Sequence, residues 1–196
     1  ERVMKKLFVM AAMVLSSVGA FAQYKAGDVT IQPKVGLSIS DYTDIDDSKT
    51  RAGVVAGAEL EYHVSPMFGL SAGALYSMQG CKYEESGVDV TLKNDYINIP
   101  VLANVYVAPG LALKAGIQPG FKVNSKAKVK AGNTSVTKDL EDSFKSFDFS
   151  VPVGISYEYM NVCLDARYNI GVTKVMEDTD SKNSVFQLTL GYKFSL

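Results

Sequence analysis

The sequence predicts an all-β fold, an eight-stranded antiparallel up-and-down transmembrane β-barrel with short periplasmic turns and long extracellular loops. Three observations predict this fold. From Asp28 to Leu196 apolar residues recur at every second position, charged residues collect at the positions between them, and short connections alternate with long ones. No stretch approaches the ~20 consecutive apolar residues of a spanning helix, so a form that crosses a membrane must be a barrel.

Residues 1–22 predict a secretory signal peptide. Two lysines precede an apolar run over residues 7–15, and the small residues that follow end in an A-x-A cleavage site at residues 20–22. We expect cleavage before Gln23. The three residues ahead of Met4 read as a stray extension of this leader.

Length and composition fit a single barrel domain over residues 23–196. The chain has 196 residues, of which 47% are hydrophobic and 21% charged, with sixteen glycines and no tryptophan. Without the signal peptide, which holds three basic residues and one acidic residue, the formal charge is −3. This charge gives no indication of a nucleic-acid partner.

Eight strands are predicted from the alternation of apolar and polar residues. Their ranges are 29–40, 52–64, 67–79, 94–107, 111–123, 147–159, 161–172 and 184–195. In the second strand Val54, Leu60 and Tyr62 share one face, and the seventh strand repeats the pattern. In the last strand the apolar face holds Phe186, Leu188, Leu190, Tyr192 and Phe194, opposite Gln187, Thr189, Gly191 and Lys193.

The connections separate into two lengths. Short turns fall at residues 65–66, 108–110 and 160–161, whereas residues 41–51, 80–93, 124–146 and 173–183 are long. An alternation of this kind is typical of an outer-membrane barrel whose termini face the periplasm.

Ionisable residues on the non-apolar face predict which side of the strands lines the lumen. The ten are Lys34, Glu59, Glu61, His63, Lys114, Lys122, Glu158, Asp165, Arg167 and Lys193. Each Lys or Arg on the lipid side would cost up to ~2–4 kcal/mol at the bilayer midplane, and the mixed signs suit an internal salt-bridge network. The alternative is a soluble lipocalin-like barrel, which would turn its apolar face inward around a ligand.

Tyrosines on the apolar face fall near the predicted strand ends. Tyr62, Tyr157, Tyr159 and Tyr192 come near the periplasmic ends, and Tyr76 and Tyr168 lie toward the outer side. These heights favour an interfacial girdle. Tyrosine is also common in strands of any kind, so the alternative is a set of ordinary strand aromatics.

Several segments resemble the PorT-like outer-membrane β-barrel family. They are Tyr96-Ile97-Asn98-Ile99-Pro100-Val101-Leu102, Gly116-Ile117-Gln118-Pro119-Gly120, Val151-Pro152-Val153-Gly154 and Ala166-Arg167-Tyr168-Asn169-Ile170-Gly171. The resemblance implies an outer-membrane barrel and a secretion-related or accessory role, with no catalytic motif. Pro100, Pro119 and Pro152 lie inside predicted strands, where proline removes a ladder hydrogen bond and indicates a bulge.

Residues with catalytic or metal-binding potential favour neither chemistry. His63 is the only histidine, lies at the predicted periplasmic rim near Glu61, and reads as a satisfied polar residue. Asp41, Asp44, Asp46 and Asp47 form an acidic cluster in the first outer loop, without the central Gly and closing Glu of an EF-hand. We therefore expect no cofactor, no metal and no enzymatic activity.

The two cysteines give a weak signal for a disulfide. Cys81 falls in a predicted outer loop and Cys163 on the inward face of a strand, so a bond between them is left open.

The third outer loop is the candidate binding segment. Lys126, Lys128 and Lys130 alternate with small or apolar residues, which predicts that strands five and six extend outward as a hairpin with Gly132-Asn133 near its tip. Residues 81–91 could extend in the same way. An exposed strand edge can accept a partner strand, although lysines also protect edges against pairing.

The functional prediction is an integral outer-membrane barrel, monomeric and non-enzymatic, with a structural, accessory or secretion-related role. Its partners would be membrane lipid and another envelope or secretion-system protein. The alternatives are an adhesin-like surface-binding barrel and a small transport pore. Eight strands leave an interior that side chains just fill, so a general diffusion channel is disfavoured.

Overall fold

The computed structural model describes residues 24–43, 49–85, 88–131, 134–139, 145–175 and 181–196, and the predicted signal peptide lies outside them. Within these ranges the chain forms eleven strands in one antiparallel sheet. They are β1 (Val29–Tyr42), β2 (Lys49–Ser65), β3 (Phe68–Glu85), β4 (Val88–Asn98), β5 (Val101–Ala108), β6 (Leu111–Ala131), β7 (Thr134–Asp139), β8 (Phe147–Tyr159), β9 (Val162–Lys174), β10 (Lys182–Tyr192) and β11 (Phe194–Ser195). No helix of the described residues is long and apolar enough to cross a membrane.

The sheet closes into a barrel of eight segments, as predicted. β4 and β5 together form one segment, interrupted at residues 99–100, and β10 and β11 form another, interrupted at Lys193. β1 closes the ring because it pairs with β2 on one side and with β10 and β11 on the other. β7 stands outside the ring and pairs with the outer end of β6.

The prolines inside the strands do not mark bulges, contrary to the sequence prediction. β5 continues the register of β4 across Pro100 against both β3 and β6. The β6–β8 and β8–β9 ladders keep one register past Pro119 and Pro152. Each proline forgoes one hydrogen bond, and the pairs on either side hold the alignment.

The two surfaces of the barrel wall have the polarity that the sequence predicts. The exposed large residues of the strands are almost all apolar, such as Val35, Leu60 and Leu188, whereas the buried positions between them are mainly polar or charged. All six tyrosines assigned to the girdle are 38% or more exposed on this outer wall. They are Tyr62, Tyr76, Tyr157, Tyr159, Tyr168 and Tyr192. The outer wall is therefore the lipid-facing surface.

The wall rises higher on one side of the barrel. β3 and β4 continue as a hairpin through the pair Glu84↔Asp89, and β6 continues between β4 on one side and β7 on the other. We call this four-stranded part, residues 78–85, 88–95, 122–131 and 134–139, the extracellular sheet. A hairpin is present, but its second strand is β7 and not an outward extension of β8, which corrects the sequence prediction. The predicted tip at Gly132-Asn133 lies outside the described residues. Several strands run farther outward than the sequence boundaries.

The β8–β9 connection is a two-residue turn at Met160 and Asn161. Both residues have positive φ angles, 48° and 67°. This is the geometry of a type I′ hairpin turn, whose twist matches that of the flanking strands.

Candidate functional site

A central layer of charges fills the middle of the lumen. Lys34 on β1 contacts Glu59 on β2 at 2.9 Å (Nζ to Oε2) and Asp165 on β9 at 3.3 Å (Nζ to Oδ2). Arg167 donates through Nη1 to Glu59 Oε1 at 2.9 Å and through Nη2 to Asp165 Oδ2 at 3.2 Å. Lys114 on β6 completes the layer with a 2.7 Å bond from Nζ to Asp165 Oδ2. All five side chains are buried.

A lower layer lies toward the periplasmic end. Lys193 Nζ donates to Glu61 Oε2 at 2.8 Å and lies 3.2 Å from Glu158 Oε2. Glu61 Oε1 accepts from the Tyr106 hydroxyl and from Asn104 Nδ2, each at 2.8 Å. The eight charged residues of the two layers comprise four cations and four carboxylates, so their formal charges cancel inside the barrel.

Tyr24 closes the lower layer from below. Its hydroxyl donates to the Glu158 carboxylate, at 2.7 Å and 2.8 Å from the two oxygens, and its ring stacks on His63 with centroids 3.9 Å apart. The Lys193 ammonium lies 5.2 Å from the same ring. Burial raises the pKa of the Tyr24 phenol well above its usual value, so the hydroxyl stays protonated and donates to Glu158. The segment just before β1 therefore plugs the periplasmic end.

Glycines on the lumen face leave room beside the backbone for the charged side chains. At Gly73 a Cβ atom would lie 2.4 Å from the Ala58 carbonyl oxygen and 2.6 Å from Glu59 Cγ. Glycine is therefore required at position 73 on β3, beside the Glu59 side chain.

A third polar cluster lies at the outer end of the barrel. Arg51 donates to the Gln79 carbonyl oxygen and lies 3.6 Å from Asp95 (Nη1 to Oδ1). Asp95 also accepts from the Tyr76 hydroxyl and from Asn124 Nδ2, each at 2.9 Å. These contacts tie the rim of β2, β3, β4 and β6 together. Sequence analysis missed Arg51 because the strand was predicted to begin at residue 52.

The predicted lumen set is brought together by the structure. The eight residues named as a lumen polar network all lie in the central and lower layers, and His63 adjoins them. Lys122 is half-buried and pairs across the ladder with the inward Tyr96.

His63 lies between the aromatic rings of Tyr24 and Tyr106. Its side chain is fully buried, both ring nitrogens lack a hydrogen-bond partner among the described residues, and the Tyr106 and His63 ring centroids are 5.6 Å apart. Among the described residues no group of three His, Cys, Asp or Glu side chains could hold a metal ion. Asp44, Asp46 and Asp47 lie outside the described residues.

Cys81 lies on β3 and not in a loop, which corrects the sequence prediction. It is fully buried, as is Cys163, and within the described part of the chain neither cysteine forms a disulfide. Alternation continues past residue 79, so the strand carries Cys81 inward where a loop was expected.

The candidate partner lysines lie on β6, an inner strand of the extracellular sheet between β4 and β7. Lys126 pairs with Lys93 on β4 and with Asp139 on β7, and Lys128 pairs with Thr91 and Thr137. Lys130 follows on the same ladder, opposite Asp89 and Ser135. In the described sheet β7 is therefore an open edge, whereas β6, which carries the lysines, is paired on both sides. An isolated two-stranded hairpin would instead have left one side of β6 open.

A closed ring of eight segments, an apolar outer wall and a charged, filled lumen define an integral β-barrel membrane protein. Residues 21–177 match the family described as "Outer membrane protein beta-barrel domain". The chain belongs to this family, and its location is the outer membrane. No curated protein sequence matches the chain at a significant level.

Solved structures of the same shape support the fold. Ail, the attachment invasion locus protein of Yersinia pestis, is 18% identical over 86% of this chain and 99% of its own, with a TM-score of 0.52. Ail in complex with the heparin analogue sucrose octasulfate gives the same identity and coverage with a TM-score of 0.51. Neisserial surface protein A is 15% identical over 86% of this chain and 97% of its own, with a TM-score of 0.46, and the fold assignment does not rest on it. At these identities the likeness concerns the fold alone.

Proposed function

We propose that this outer-membrane barrel is a non-enzymatic accessory protein that presents its extracellular sheet to another envelope protein. The observation that carries the proposal is the edge of β7. Among the described residues β7 is hydrogen-bonded on one side only, to β6, so its other side offers backbone groups to an added strand. The PorT-like resemblance supports a secretion-related partner.

The surroundings of this edge support contact with a protein. Val136 on β7 is 61% exposed and pairs with Val129, which is 37% exposed. Both lie beyond the lipid-facing belt, where an exposed apolar pair has no lipid to cover it. Lys138 lies on the same edge strand, and a lysine at an edge discourages unspecific pairing.

The absence of enzymatic activity is part of the proposal. Its support is the environment of His63, whose side chain is fully buried and lies between the rings of Tyr24 and Tyr106. The alternative is an adhesin-like barrel. It would present the same sheet to a partner on a host or neighbouring cell, whereas an accessory protein would bind a partner in its own envelope.

Photo-crosslinking in intact cells tests the proposal. A photoreactive phenylalanine analogue at Thr137, exposed on the open edge, should give one discrete adduct at matching stoichiometry after purification from outer membranes. The control places the same group at Lys174, which is exposed at the outer end of β9. Recovery of the barrel alone from the Thr137 variant would contradict the accessory role and favour a free-standing barrel.

A further inference from the structure

A groove indents the outer wall of the barrel where β10, β1 and β2 lie side by side. It has a volume of about 620 Å³ and is open toward the membrane. The outward side chains that line it belong to β9, β10, β1 and β2, and they are Val162, Leu190, Tyr192, Pro33, Val35 and Ala56. β1 and β10 form the seam that closes the ring, so we call this depression the seam groove.

A small side chain and two glycines create the depression. Val35 is 56% exposed, whereas its ladder partner on β2 is only an alanine, Ala56. Between them the groove reaches the backbone at Gly57 and Gly191, the two ladder partners of Lys34. The Lys34 side chain is 1% exposed, so its ammonium stays in the lumen. The seam groove is therefore a depression in the apolar wall and not an entrance to the lumen.

An interruption of the seam lies beside the groove. β1 pairs with β10 from Lys34 outward and with β11 from Ile31 downward, but the described ladder holds no pair at the two positions between them. One of these positions is Pro33, which has no N–H to donate. Across the seam, the Lys193 N–H donates to the Asn161 carbonyl oxygen at 2.8 Å instead. The wall therefore lacks ladder pairs at a residue that lines the groove.

The seam groove begins at the periplasmic interface. Val162 at its lower end follows directly after the two-residue turn at 160–161, and its ladder partner is Tyr192. Both are 43% exposed on the outer wall. Three strand spacings of ~4.8 Å separate Val162 on β9 from Ala56 on β2, so the groove is about 14 Å long. This length matches one leaflet of the ~30 Å hydrocarbon core.

A lipid chain is the occupant that fits this depression. The lipid-facing wall continues above the groove at Leu37 and Leu188, and water finds no hydrogen-bond partners among apolar side chains. A second copy of the barrel would present a convex wall, which bridges a depression instead of filling it. Lipid tails are as apolar as the wall, so retention depends on the number of van der Waals contacts. A chain inside the groove has wall atoms on three sides, whereas a chain on the flat wall has them on one.

We propose that the seam groove holds one acyl chain of a phospholipid from the periplasmic leaflet. The carboxyl end of the chain lies beside Val162 and Tyr192, and its methyl end points toward Ala56. The bound chain fills the space that the alanine leaves on β2 and covers the interrupted seam at Pro33. The site lies within the membrane, away from the extracellular sheet, so it does not depend on the accessory role.

Photolabelling in vesicles of phosphatidylethanolamine and phosphatidylglycerol tests the proposal. Two phosphatidylethanolamine probes carry a diazirine on one acyl chain, either near its carboxyl end or near its methyl end. After illumination of the full-length mature barrel, peptide mass spectrometry identifies the labelled residues.

Two matched variants separate the groove from the rest of the wall. Ala56→Phe fills the groove, with Ala56→Leu as a smaller replacement should phenylalanine prevent folding. Ala166→Phe makes the same change at an alanine of β9 that is equally half-buried and does not line the groove. Heat-dependent gel migration verifies that each variant is folded.

Residues of the groove should be labelled about fivefold more than other apolar residues of the outer wall, because roughly ten additional carbon contacts hold the chain there. The carboxyl-end probe should mark Val162 and Tyr192, and the methyl-end probe should mark Val35 and Ala56. Ala56→Phe should remove the excess labelling of the remaining groove residues, whereas Ala166→Phe should leave it unchanged. Even labelling around the barrel, the reverse order of the two probes, or crosslinks between two barrels at the groove would overturn the proposal.

Discussion

At the residue scale, the charges inside the barrel connect strands that lie far apart in the chain. Glu59 and Asp165 each accept from Arg167 and from Lys34, so one guanidinium and one ammonium link β1, β2 and β9. Removing one member leaves its partners buried and unpaired, which costs more than an intact pair contributes.

The variant Arg167→Met should destabilise the barrel by about 3–5 kcal/mol, because Glu59 and Asp165 lose a buried partner. The measurement is urea unfolding in lipid vesicles, followed by the shift in gel migration. Adding Glu59→Gln to the variant should recover part of the loss, since one uncompensated charge is then removed. Lys174→Met, at an exposed site, is the control. A small effect of Arg167→Met would contradict the buried network.

Which residues face the lumen could be predicted from sequence, but their contacts could not. Strand parity identifies Lys34, Glu59 and Arg167 as inward, whereas their pairing depends on the registers of three strands that are far apart in the chain. Tyr24 was missed because it precedes the first strand and has no periodic context. Its one signal is that it is the second residue after the predicted cleavage site, and that cleavage stays a prediction.

At the scale of strands and turns, the alternation of apolar and polar residues predicted the barrel segments. The predicted strand ends and the bulges predicted from proline were wrong at particular sites. Alternation continues beyond the membrane in β3 and β6, so boundaries set by apolar content were too short. Proline predicted bulges where the ladders run unshifted, while the bulge at Val123 carries no proline. A bulge depends on how two strands are aligned with each other, and the sequence of one strand does not contain this information.

The turn at Met160 offers a test of this local geometry. Met160 has a φ angle of 48°, which an L side chain adopts only at a cost. Met160→Gly should therefore stabilise the barrel by about 0.5–1 kcal/mol, measured by urea unfolding.

Met67, in the turn before β3, is the matched control because it is not among the residues with positive φ. Met67→Gly should destabilise the barrel by about 0.5–1 kcal/mol, since glycine there only adds chain entropy to the unfolded state. Destabilisation by both substitutions would contradict the strained turn.

At the scale of the whole molecule, a closed ring with an apolar exterior and ion-paired charges in its interior accounts for insertion into the outer membrane. The even number of segments, the face that meets lipid and the alternating connections could all be predicted from sequence. The height of the extracellular sheet and the plug at Tyr24 could not, because both arise from contacts between distant parts of the chain.

The filled lumen predicts low conductance. The charged layers and Tyr24 cross the interior with side chains that are buried, so planar bilayer recordings should show no steps comparable with those of a sixteen-stranded porin. Tyr24→Ala, which removes the periplasmic plug, should leave the central layer intact and conductance low. Large, regular conductance steps from the unmodified chain would refute the filled lumen and favour a transport pore.

The polarity of the barrel wall is the central claim, and a nitroxide scan along β10 tests it most directly. After Cys81→Ser and Cys163→Ser, single labelled cysteines replace each residue from Phe186 to Tyr192 in lipid vesicles. Collision with oxygen, which concentrates in lipid, should peak at positions 186, 188, 190 and 192 and fall at the positions between them. A flat profile, or maxima at 187, 189 and 191, would contradict the account.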